Sequence, residues 1–525
     1  MDSDEDDDSL GQETTALAAD STASAKAFSL DNLPSEFVAF LAKNEIDPAI
    51  YTVKDLPRYV RLNPDPQRTI TPQELEKELG TKVEPVPGLE AFCRLSGQVK
   101  LRNTQAYKDG KIFGMDLSSG LAVYALDIQP GDHVLDICCA PGAKLCMIAG
   151  LLTNFGQEPN NSSHDRKERR LDITGTVTGV DISQHRLSTC RSLLKRHRLQ
   201  QYARLFRADG TTFGVMRPSA IDTIRAKIMA GEKNDDAKER GHKEESKKRT
   251  SSENSQGNEE EALVGSSHEA RKQSYMEHTT EGVGLVKRSK RSKKALMVTT
   301  DYEGRTDVTT VDGIEVSYSQ EKMVPFHAPK MLRNDPQLQG EGYKYDKVIV
   351  DAECTHDGSI AHILKYETWG WDSFHKNFMS QDRLDSLCDL QRGLLLNGFR
   401  LTKKGGIVVY STCSLSRAQN EDIVAWFLAK MKGKAVLEPL PRHALGITTA
   451  GCKRPCQSII SSALGVQSTY DGSHGSVGHG GGRGNLEQEA EVEQLCDHVM
   501  GLCLRYDPLA SNTSGFFLAR IRKIE

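Results

Sequence analysis

Val348-Ile-Val-Asp-Ala-Glu-Cys354 and Val408-Val-Tyr-Ser-Thr-Cys-Ser414 are two apolar strands that each stop on polar residues and a cysteine. An open α/β sheet carries its chemistry at the carboxyl ends of its strands. If these two strands are parallel neighbours, Cys354 and Cys413 meet over one pocket, with Asp351 beside them. Two cysteines and a carboxylate at such an edge indicate attack by a thiolate.

Apolar strands alternate with amphipathic helices along the chain from residue 101. We expect strands over 133–138, 176–181, 203–209, 347–352, 407–412 and 515–521, with helices over 143–152, 186–196 and about 382–401. This rhythm predicts an α/β fold with a doubly wound, mostly parallel sheet.

The composition indicates that part of the chain lies outside a folded core. Only 37% of the 525 residues are hydrophobic and 27% are charged, which is lean for a wholly folded protein. We expect a disordered acidic tail over 1–27, a small N-terminal α+β domain over 28–110 and a catalytic domain over 111–525. Three polar insertions are predicted at 153–172, 215–340 and 466–490, the middle one largely disordered. Within it, β-branched alternation over 297–318 favours a hairpin.

Several classes of protein are disfavoured by the same composition. The net charge is −4, from 68 Lys and Arg against 72 Asp and Glu, so any basic surface must be local. No secretory signal is recognised and no run approaches ~20 apolar residues, so no membrane segment is expected. The 12 cysteines are predicted to be free thiols of a reducing compartment. Cys452, Cys456, Cys496 and Cys503 lack the usual zinc spacing, and no metal is expected.

The turn after the first strand, Cys138-Cys-Ala-Pro-Gly-Ala-Lys144, places one glycine at a helix N-terminus. It lacks the glycine patterns that cradle a dinucleotide or a triphosphate, which favours a cofactor without phosphates. S-adenosylmethionine fits, with its amino-acid end against this loop. Asp181 ends the second strand, where a carboxylate can accept both ribose hydroxyls. Without the first insertion Gly142 and Asp181 are 19 residues apart. In such folds the ribose-binding acid usually follows the glycine turn by ~20 residues.

Asp209 ends the third strand and is placed to bond the adenine amino group. Asp and Gly are also common in ordinary strand-end turns, which is the alternative for each position alone. The predicted cofactor-binding residues are Cys138, Cys139, Ala140, Pro141, Gly142, Ala143, Lys144, Asp181, Arg186, Asp209 and Asp351.

These motifs resemble those of the RNA cytosine-C5 methyltransferase family of the Fmu/Sun type, the RsmB/NOP family. The matching segments are Asp136–Lys144, Asp181, Asp209, Asp351–Cys354 and Tyr410–Ser414. The resemblance covers roughly residues 85–214 and 341–525. It implies a class I S-adenosylmethionine-dependent methyltransferase that modifies cytosine in RNA, with tRNA ahead of rRNA as the substrate.

The chemistry of cytosine explains why such an enzyme needs a thiolate. C5 is a poor nucleophile, but a thiolate that adds to C6 makes C5 carbanion-like, after which a base removes the C5 proton and the thiolate leaves. Cysteine suits this role because its thiolate is reachable near neutral pH. The resemblance implies Cys413 as the nucleophile and Cys354 as the cysteine that assists release. Asp351 is the candidate to bond N3, and Lys144 would set its charge state. The target base must leave its stack.

One departure from the family pattern concerns the segment around Cys354. The family usually has Asp-Ala-Pro-Cys, whereas Glu353 replaces the proline here, and Thr355-His-Asp-Gly358 differs from the usual Ser-Gly-x-Gly. Glu353 could raise the pKa of Cys354 and impair release, supply a new base, or point outward with little effect. Impaired release would favour a rival hypothesis, a non-catalytic RNA-binding or scaffold relic. DNA cytosine methyltransferases resemble this chain less.

Basic segments bear on RNA contact and location. The run Lys287–Lys294 predicts nuclear or nucleolar import or a phosphate-binding arm, although such runs often have no specific role and a cytoplasmic location stays open. The basic residues of Arg191–Arg198 are predicted to be a solvated helix face, and residues 28–110 to position RNA. The sequence leaves the oligomeric state open.

Overall fold

The computed structural model describes residues 30–53, 56–65, 67–154, 175–219, 307–311, 314–318, 324–329, 332–333, 340–375, 379–441, 451–465 and 483–525. The predicted acidic tail, the basic run 287–294 and most of the insertions at 153–172 and 215–340 lie outside these residues.

The N-terminal part of the chain contains a four-stranded antiparallel sheet in the order β2-β3-β1-β4. Its elements are α1 (Ser35–Lys43), β1 (Arg58–Leu62), α2 (Pro72–Leu79), β2 (Glu84–Val86), β3 (Leu89–Leu95), α3 (Gln105–Lys108) and β4 (Ile112–Gly114). Thr71 and Glu74 form a reciprocal capping box at the start of α2. Because β4 reaches Gly114, this sheet extends a few residues past the predicted boundary at 110.

The remaining elements build an α/β unit. In chain order they are α4 (Leu117–Tyr124), β5 (His133–Ile137), α5 (Ala143–Asn154), β6 (Thr176–Asp181), α6 (Gln184–Arg196), β7 (Ala203–Arg207), β8 (Asp307–Val311), β9 (Ile314–Tyr318), β10 (Val324–His327), β11 (Tyr345–Asp351), α7 (Ile360–Leu364), α8 (Tyr366–Trp369), α9 (Trp371–Phe374), α10 (Gln381–Leu401), β12 (Thr402–Thr412), α11 (Glu421–Lys430), β13 (Ala435–Glu438), α12 (Gln457–Leu464), α13 (Arg483–Leu502), β14 (Leu504–Tyr506), α14 (Pro508–Ser511) and β15 (Phe516–Lys523). None of the helices in the described part of the chain is long and apolar enough to span a membrane.

Nine of the described strands form one mixed sheet in the order β10-β7-β6-β5-β11-β12-β15-β13, with β14 also paired to β15. Five neighbouring strands, β7, β6, β5, β11 and β12, run parallel to one another. The outer strands β10, β13, β14 and β15 pair antiparallel. The predicted α/β fold with a doubly wound, mostly parallel sheet is confirmed. The strand order reverses between β5 and β11, where a crevice opens at the carboxyl ends. Lys144 follows β5 and Asp351 ends β11, so both lie at this switch point.

The central strands are buried on both faces, which explains their nearly continuous apolar sequences. Every residue of β5 and β6 is buried. Val348 of β11 lies opposite Val408 of β12 in parallel register, so the two strands are the neighbours that the sequence predicts. In the same register Asp351 lies opposite Ser411, two residues before Cys413.

Parts of the predicted insertions form regular elements. The hairpin predicted within 297–318 is confirmed by the antiparallel pairing of β8 and β9. β10 lies within the segment 215–340, yet it pairs with β7 and extends the main sheet. Its Pro325 is a residue that edge strands tolerate and that sequence patterns normally associate with turns. α13 begins at Arg483, inside the segment 466–490.

Candidate active site

The ends of β11 and β12 bring two cysteines together. The Sγ atoms of Cys354 and Cys413 are 3.3 Å apart. Cys354 is buried and Cys413 is partly exposed. The parallel register therefore produces the pair of sulfur atoms that the sequence pattern predicts, with the more accessible sulfur on the residue expected to attack.

A histidine that the sequence did not single out as a site residue completes this cluster. His356 Nδ1 lies 2.9 Å from Cys413 Sγ and 3.9 Å from Cys354 Sγ, and the three atoms all lie within 4.8 Å of one another. His356 has a φ of 56°, in the left-handed region that glycine favours and that histidine tolerates better than most residues. The signal was present in the sequence, since His356 stands at a glycine position of the family pattern beside Cys354.

The three side chains shift one another's protonation. A hydrogen bond from the Cys354 thiol holds the pKa of Cys413 well below its ordinary value; burial opposes this, and His356 lowers the pKa further. Burial and the neighbouring Cys413 raise the pKa of Cys354 well above its ordinary value. Burial lowers the pKa of His356, but the charge and hydrogen bond of Cys413 and the charges of Glu353 and Asp357 together raise it above its ordinary value. These shifts favour a thiolate on Cys413, a neutral thiol on Cys354 and a proton on His356.

A carboxylate and an ammonium group lie in the same pocket. Lys144 Nζ is 2.7 Å from Asp351 Oδ2 and 3.2 Å from Ser119 Oγ. The Ser411 hydroxyl donates a hydrogen bond of 2.8 Å to Asp351 Oδ1. The side chains of Lys144 and Asp351 are only 10% and 14% exposed, so water screens this pair weakly. Both carboxylate oxygens are engaged, which fixes the orientation of Asp351.

A small cavity of about 20 Å³ lies between these groups and Cys413. Lys144, Asp351, Cys413 and Phe516 are among its lining residues. This volume is about that of one water molecule. A nucleobase would therefore enter only after the rim of the cavity moves.

A buried polar network fastens the two cysteine loops to each other. Asp357 accepts hydrogen bonds of 2.7 Å from Ser414 Oγ and 2.7 Å from the Leu415 backbone N–H, and a third from the Thr355 hydroxyl. These contacts join the segment after Cys354 to the segment after Cys413. The sequence did not single out Asp357, because an acidic residue among small polar residues is typical of an exposed turn.

Glu353, the main departure from the family pattern, faces away from the sulfur atoms. Its carboxylate pairs with Arg383, and the two side chains are 47% and 35% exposed. Its carbonyl oxygen accepts a hydrogen bond of 2.8 Å from Gln391 Nε2. Burial and Cys413, rather than Glu353, are the main causes of the raised pKa of Cys354. This geometry favours the outward orientation among the three alternatives.

Three of the predicted cofactor residues meet at the carboxyl end of β6. Asp181, only 4% exposed, accepts hydrogen bonds from the backbone N–H groups of Ala140 at 3.3 Å and Ser183 at 2.8 Å. Arg186 Nη2 donates a hydrogen bond of 2.6 Å to the Ala140 carbonyl oxygen. Each Asp181 oxygen keeps a lone pair that can accept a hydrogen bond from a hydroxyl group.

The loop before α5 is built partly for packing. Gly142 has a φ of 113°, and a Cβ there would lie 3.1–3.3 Å from atoms of Cys190, so close helix packing requires glycine whether or not a ligand approaches. The Cys139 side chain packs against Gly179, where a Cβ would lie 2.8 Å from its Sγ. Burial raises the pKa of Cys139 well above its ordinary value. Cys139 can therefore contribute only its backbone to a cofactor site.

Asp209 is exposed and partly committed to its own turn. Its Oδ1 accepts hydrogen bonds from the backbone N–H of Thr211 at 2.8 Å and from Thr211 Oγ1 at 2.7 Å. The structure thus places Asp209 at the end of β7 as predicted, with one oxygen already occupied by the turn.

Asp136 is a buried carboxyl group between the two halves of the site. Neither of its oxygens has a hydrogen-bond partner among the described residues. Burial, and next the charge of Asp351, raise the pKa of Asp136 well above its ordinary value. A protonated carboxyl group is a hydrogen-bond donor, and an unsatisfied one at the switch point fits a polar ligand in the crevice.

Comparisons with known proteins bear on this geometry. Residues 330–522 match the family described as 16S rRNA methyltransferase RsmB/F. Over 100 residues the chain is 40% identical to the 5-cytosine rRNA methyltransferase NSUN4 of Xenopus laevis, covering 19% of this chain and 23% of that protein. Over 197 residues it is 26% identical to the multisite-specific tRNA:(cytosine-C(5))-methyltransferase of Saccharomyces cerevisiae, covering 37% and 26%. The matched segments thus span about a quarter of the length of these relatives.

A solved structure, NSun6 from Pyrococcus horikoshii with SFG, has a TM-score of 0.46 at 14% identity and covers 94% of this chain and 98% of that chain.

Proposed function

We propose that this chain, whose residues 330–522 belong to the RsmB/F methyltransferase family, is an S-adenosylmethionine-dependent RNA (cytosine-C5) methyltransferase that acts on tRNA or rRNA. That match covers the predicted motifs Asp351–Cys354 and Tyr410–Ser414 and confirms the family resemblance over that part of the chain. The observation that carries the proposal is the meeting of Cys413 with the Lys144–Asp351 pair in one pocket at the switch point. A thiolate beside an oriented carboxylate is what addition to C6 of cytosine requires.

The side chains have separate tasks in this reaction. Cys413 forms the bond to C6, and the electrons displaced from the C5–C6 double bond make C5 nucleophilic. Asp351 is oriented by Lys144 and Ser411, so that its carboxyl group, when it carries a proton, can donate a hydrogen bond to N3 of the base and stabilise the negative charge that develops there.

The cofactor side of the crevice has groups that suit S-adenosylmethionine, which when bound would supply a methyl group carried on a sulfonium. Asp181 has lone pairs available for ribose hydroxyls, and Asp136 has an unused polar group. The backbone of Ala140 and Gly142 lies beside them.

Cys354, whose Sγ lies 3.3 Å from that of Cys413, is placed to assist release of the methylated base. Its thiol is neutral while Cys413 carries a negative charge, because burial and next the neighbouring Cys413 raise the pKa of Cys354. Once Cys413 is bonded to C6 the charge is gone, so Cys354 can release its own proton to solvent and, as a thiolate, accept the C5 proton. The C5–C6 double bond then forms again and Cys413 leaves with the electron pair.

A basic groove supports RNA as the partner. An open groove of about 700 Å³ is lined by six cationic residues and by one acidic residue, Asp109. The cations are Arg68, Lys108, Lys111, Lys195, Arg196 and Arg198. They come from the N-terminal part and from the end of α6, so the basic face predicted to be merely solvated forms one wall of a groove. On a chain with a net charge of −4, this concentration of positive charge suits a phosphate backbone. The role of residues 28–110 in positioning RNA and nuclear import through 287–294 stay predictions.

The test is methyl transfer from labelled S-adenosylmethionine to total RNA, compared between wild type and cysteine variants. We expect Cys413→Ala to abolish transfer, and Cys354→Ala to accumulate a covalent protein–RNA adduct that survives denaturing electrophoresis. Cys388→Ala, on α10 outside the cluster, is the matched control and should retain activity.

Two outcomes would count against the proposal. If wild type binds RNA but transfers no methyl group to any RNA pool, the scaffold hypothesis replaces it. If Cys354→Ala loses transfer without forming an adduct, the role given to Cys354 is wrong.

A further inference from the structure

We propose that His356 is a further catalytic residue, a base that takes the thiol proton of Cys413 and holds the resulting thiolate as an ion pair. The inference rests on the proposed function and deepens it. It assigns chemistry to a position where the family pattern noted above has glycine, a residue without a side chain to serve as a base.

The contact has the geometry of a proton transfer. His356 Nδ1 lies 2.9 Å from Cys413 Sγ, one ångström closer than to Cys354 Sγ. A neutral ring with its proton on Nε2 presents Nδ1 as an acceptor. The proton moves from Sγ to Nδ1, and the S–H electron pair stays on sulfur. The products are a thiolate and an imidazolium, and the total charge is unchanged.

The imidazolium also serves the end of the reaction. The electron pair of Cys413 forms the S–C6 bond during attack and returns to sulfur when that bond breaks. His356 stays protonated through both steps, so the departing thiolate meets a positive charge that stabilises it as a leaving group.

The backbone shows that this orientation is imposed by the loop. The left-handed region is strained for a residue other than glycine, and such conformations persist where the surrounding structure fixes them. The neighbours of His356 are both anchored: the Thr355 backbone N–H donates a hydrogen bond of 3.1 Å to Gln419 Oε1, and Asp357 binds Ser414 and Leu415. The ring is therefore held toward Cys413 from both sides.

The charged and titratable groups around His356 favour this ion pair. Cys354, Glu353 and Asp357 belong to its own loop, Cys413 faces it from β12, and the ring of His362 on α7 lies 5.2 Å away, centroid to centroid. Cys413, Glu353 and Asp357 all raise the pKa of His356. The thiolate–imidazolium pair is present between the lowered pKa of Cys413 and the raised pKa of His356.

The test is the rate at which iodoacetamide alkylates Cys413, measured across the pH range by mass spectrometry of the Cys413 peptide in the full chain. The variant is His356→Asn, because asparagine tolerates the left-handed φ and removes the base. His498→Asn is the matched control, since His498 is exposed on α13.

In wild type and in His498→Asn we expect alkylation to persist well below the ordinary thiol pKa. In His356→Asn its midpoint should rise by at least about one pH unit, which is about a tenfold lower rate on the acidic limb. Methyl transfer by His356→Asn should recover in part as the pH rises. A rate profile in His356→Asn that overlays wild type would overturn the proposal.

Alkylation requires neither RNA nor cofactor, so the two proposals fail in distinguishable ways. If wild type transfers no methyl group to RNA but the alkylation midpoint shifts as expected, the Cys413–His356 pair stands and the RNA assignment fails. If methyl transfer is intact and the midpoint does not move, the assignment of RNA as substrate stands and the role of His356 fails.

Discussion

Lys144 Nζ lies 2.7 Å from Asp351 Oδ2 across the switch point of the sheet, joining the helix after β5 to the end of β11. Both groups are nearly buried and line the same cavity as Cys413. Removing one partner would leave the other charged group without compensation in a poorly solvated site.

Asp351→Asn keeps the shape of the side chain but removes its charge. We expect single-turnover methyl transfer to fall at least about 100-fold, in the range of a lost acid–base or electrostatic group. Lys144→Met and Asp351→Asn should each lower the free energy of unfolding by about 3–5 kcal/mol, because each strands the other buried charge. Urea unfolding measures that loss.

The control for stability is Lys432→Met, which breaks a pair with Glu491 whose side chains are 66% and 33% exposed, and it should cost no more than about 1 kcal/mol. Unchanged methyl transfer in Asp351→Asn would remove Asp351 from the mechanism.

The predicted site follows largely from local sequence. The apolar runs of β5, β6, β11 and β12 are long and buried on both faces, so the sequence predicts where these strands lie. Their parallel register then brings Cys354 next to Cys413. Boundaries differ by a few residues because strand ends depend on partner strands, as where β12 begins at Thr402 rather than 407.

The remaining features depend on contacts between distant segments. His356 is aimed by a left-handed backbone and by a sulfur 57 residues away, so the sequence marks it only as a departure from the family's glycine and does not show its contact. The basic groove combines Arg68 with Arg198, which only tertiary packing brings together. β10 pairs with β7 across more than a hundred residues, so its edge position could not be read from its four residues.

Glu353→Gln tests whether the departure from the family pattern matters. Because Glu353 is half-exposed and paired with Arg383 at the surface, we expect multiple-turnover methyl transfer to change by less than about threefold and stability by less than about 1 kcal/mol. Arg383→Gln breaks the same pair from the other side and should behave alike. A tenfold rise in turnover would mean that Glu353 slows release, and a tenfold fall that it acts as a base.

Lys108→Gln and Lys195→Gln test the basic groove. Each cation that contacts a phosphate releases counterions on binding, so each variant should lower the slope of log affinity against log salt by about 0.7–0.9. RNA binding measured by fluorescence anisotropy at several salt concentrations gives this slope. Lys404→Gln, an exposed lysine outside the groove, is the matched control. Identical slopes for all three variants and wild type would place the RNA elsewhere.

His197 makes the stability of the fold sensitive to acid. Its ring stacks on Phe113 with centroids 3.6 Å apart, and Nδ1–H donates a hydrogen bond of 3.1 Å to the Gly110 carbonyl oxygen. Burial lowers the pKa of His197 from 6.5 to about 3. In the unfolded chain His197 therefore binds a proton near pH 6.5, whereas in the folded chain it binds one only near pH 3.

The stabilisation from neutral His197 is complete above pH 6.5 and is lost as the pH falls from 6.5 toward 3. Within this window we expect His197 to contribute a loss of about 1.4 kcal/mol per pH unit. Urea unfolding of wild type and His197→Gln at about pH 7.5, 6 and 5 measures the difference in slope. His185→Gln, exposed on the same helix, should keep the wild-type slope. If wild type and His197→Gln lose stability in parallel, the buried neutral histidine is not the acid-sensitive group.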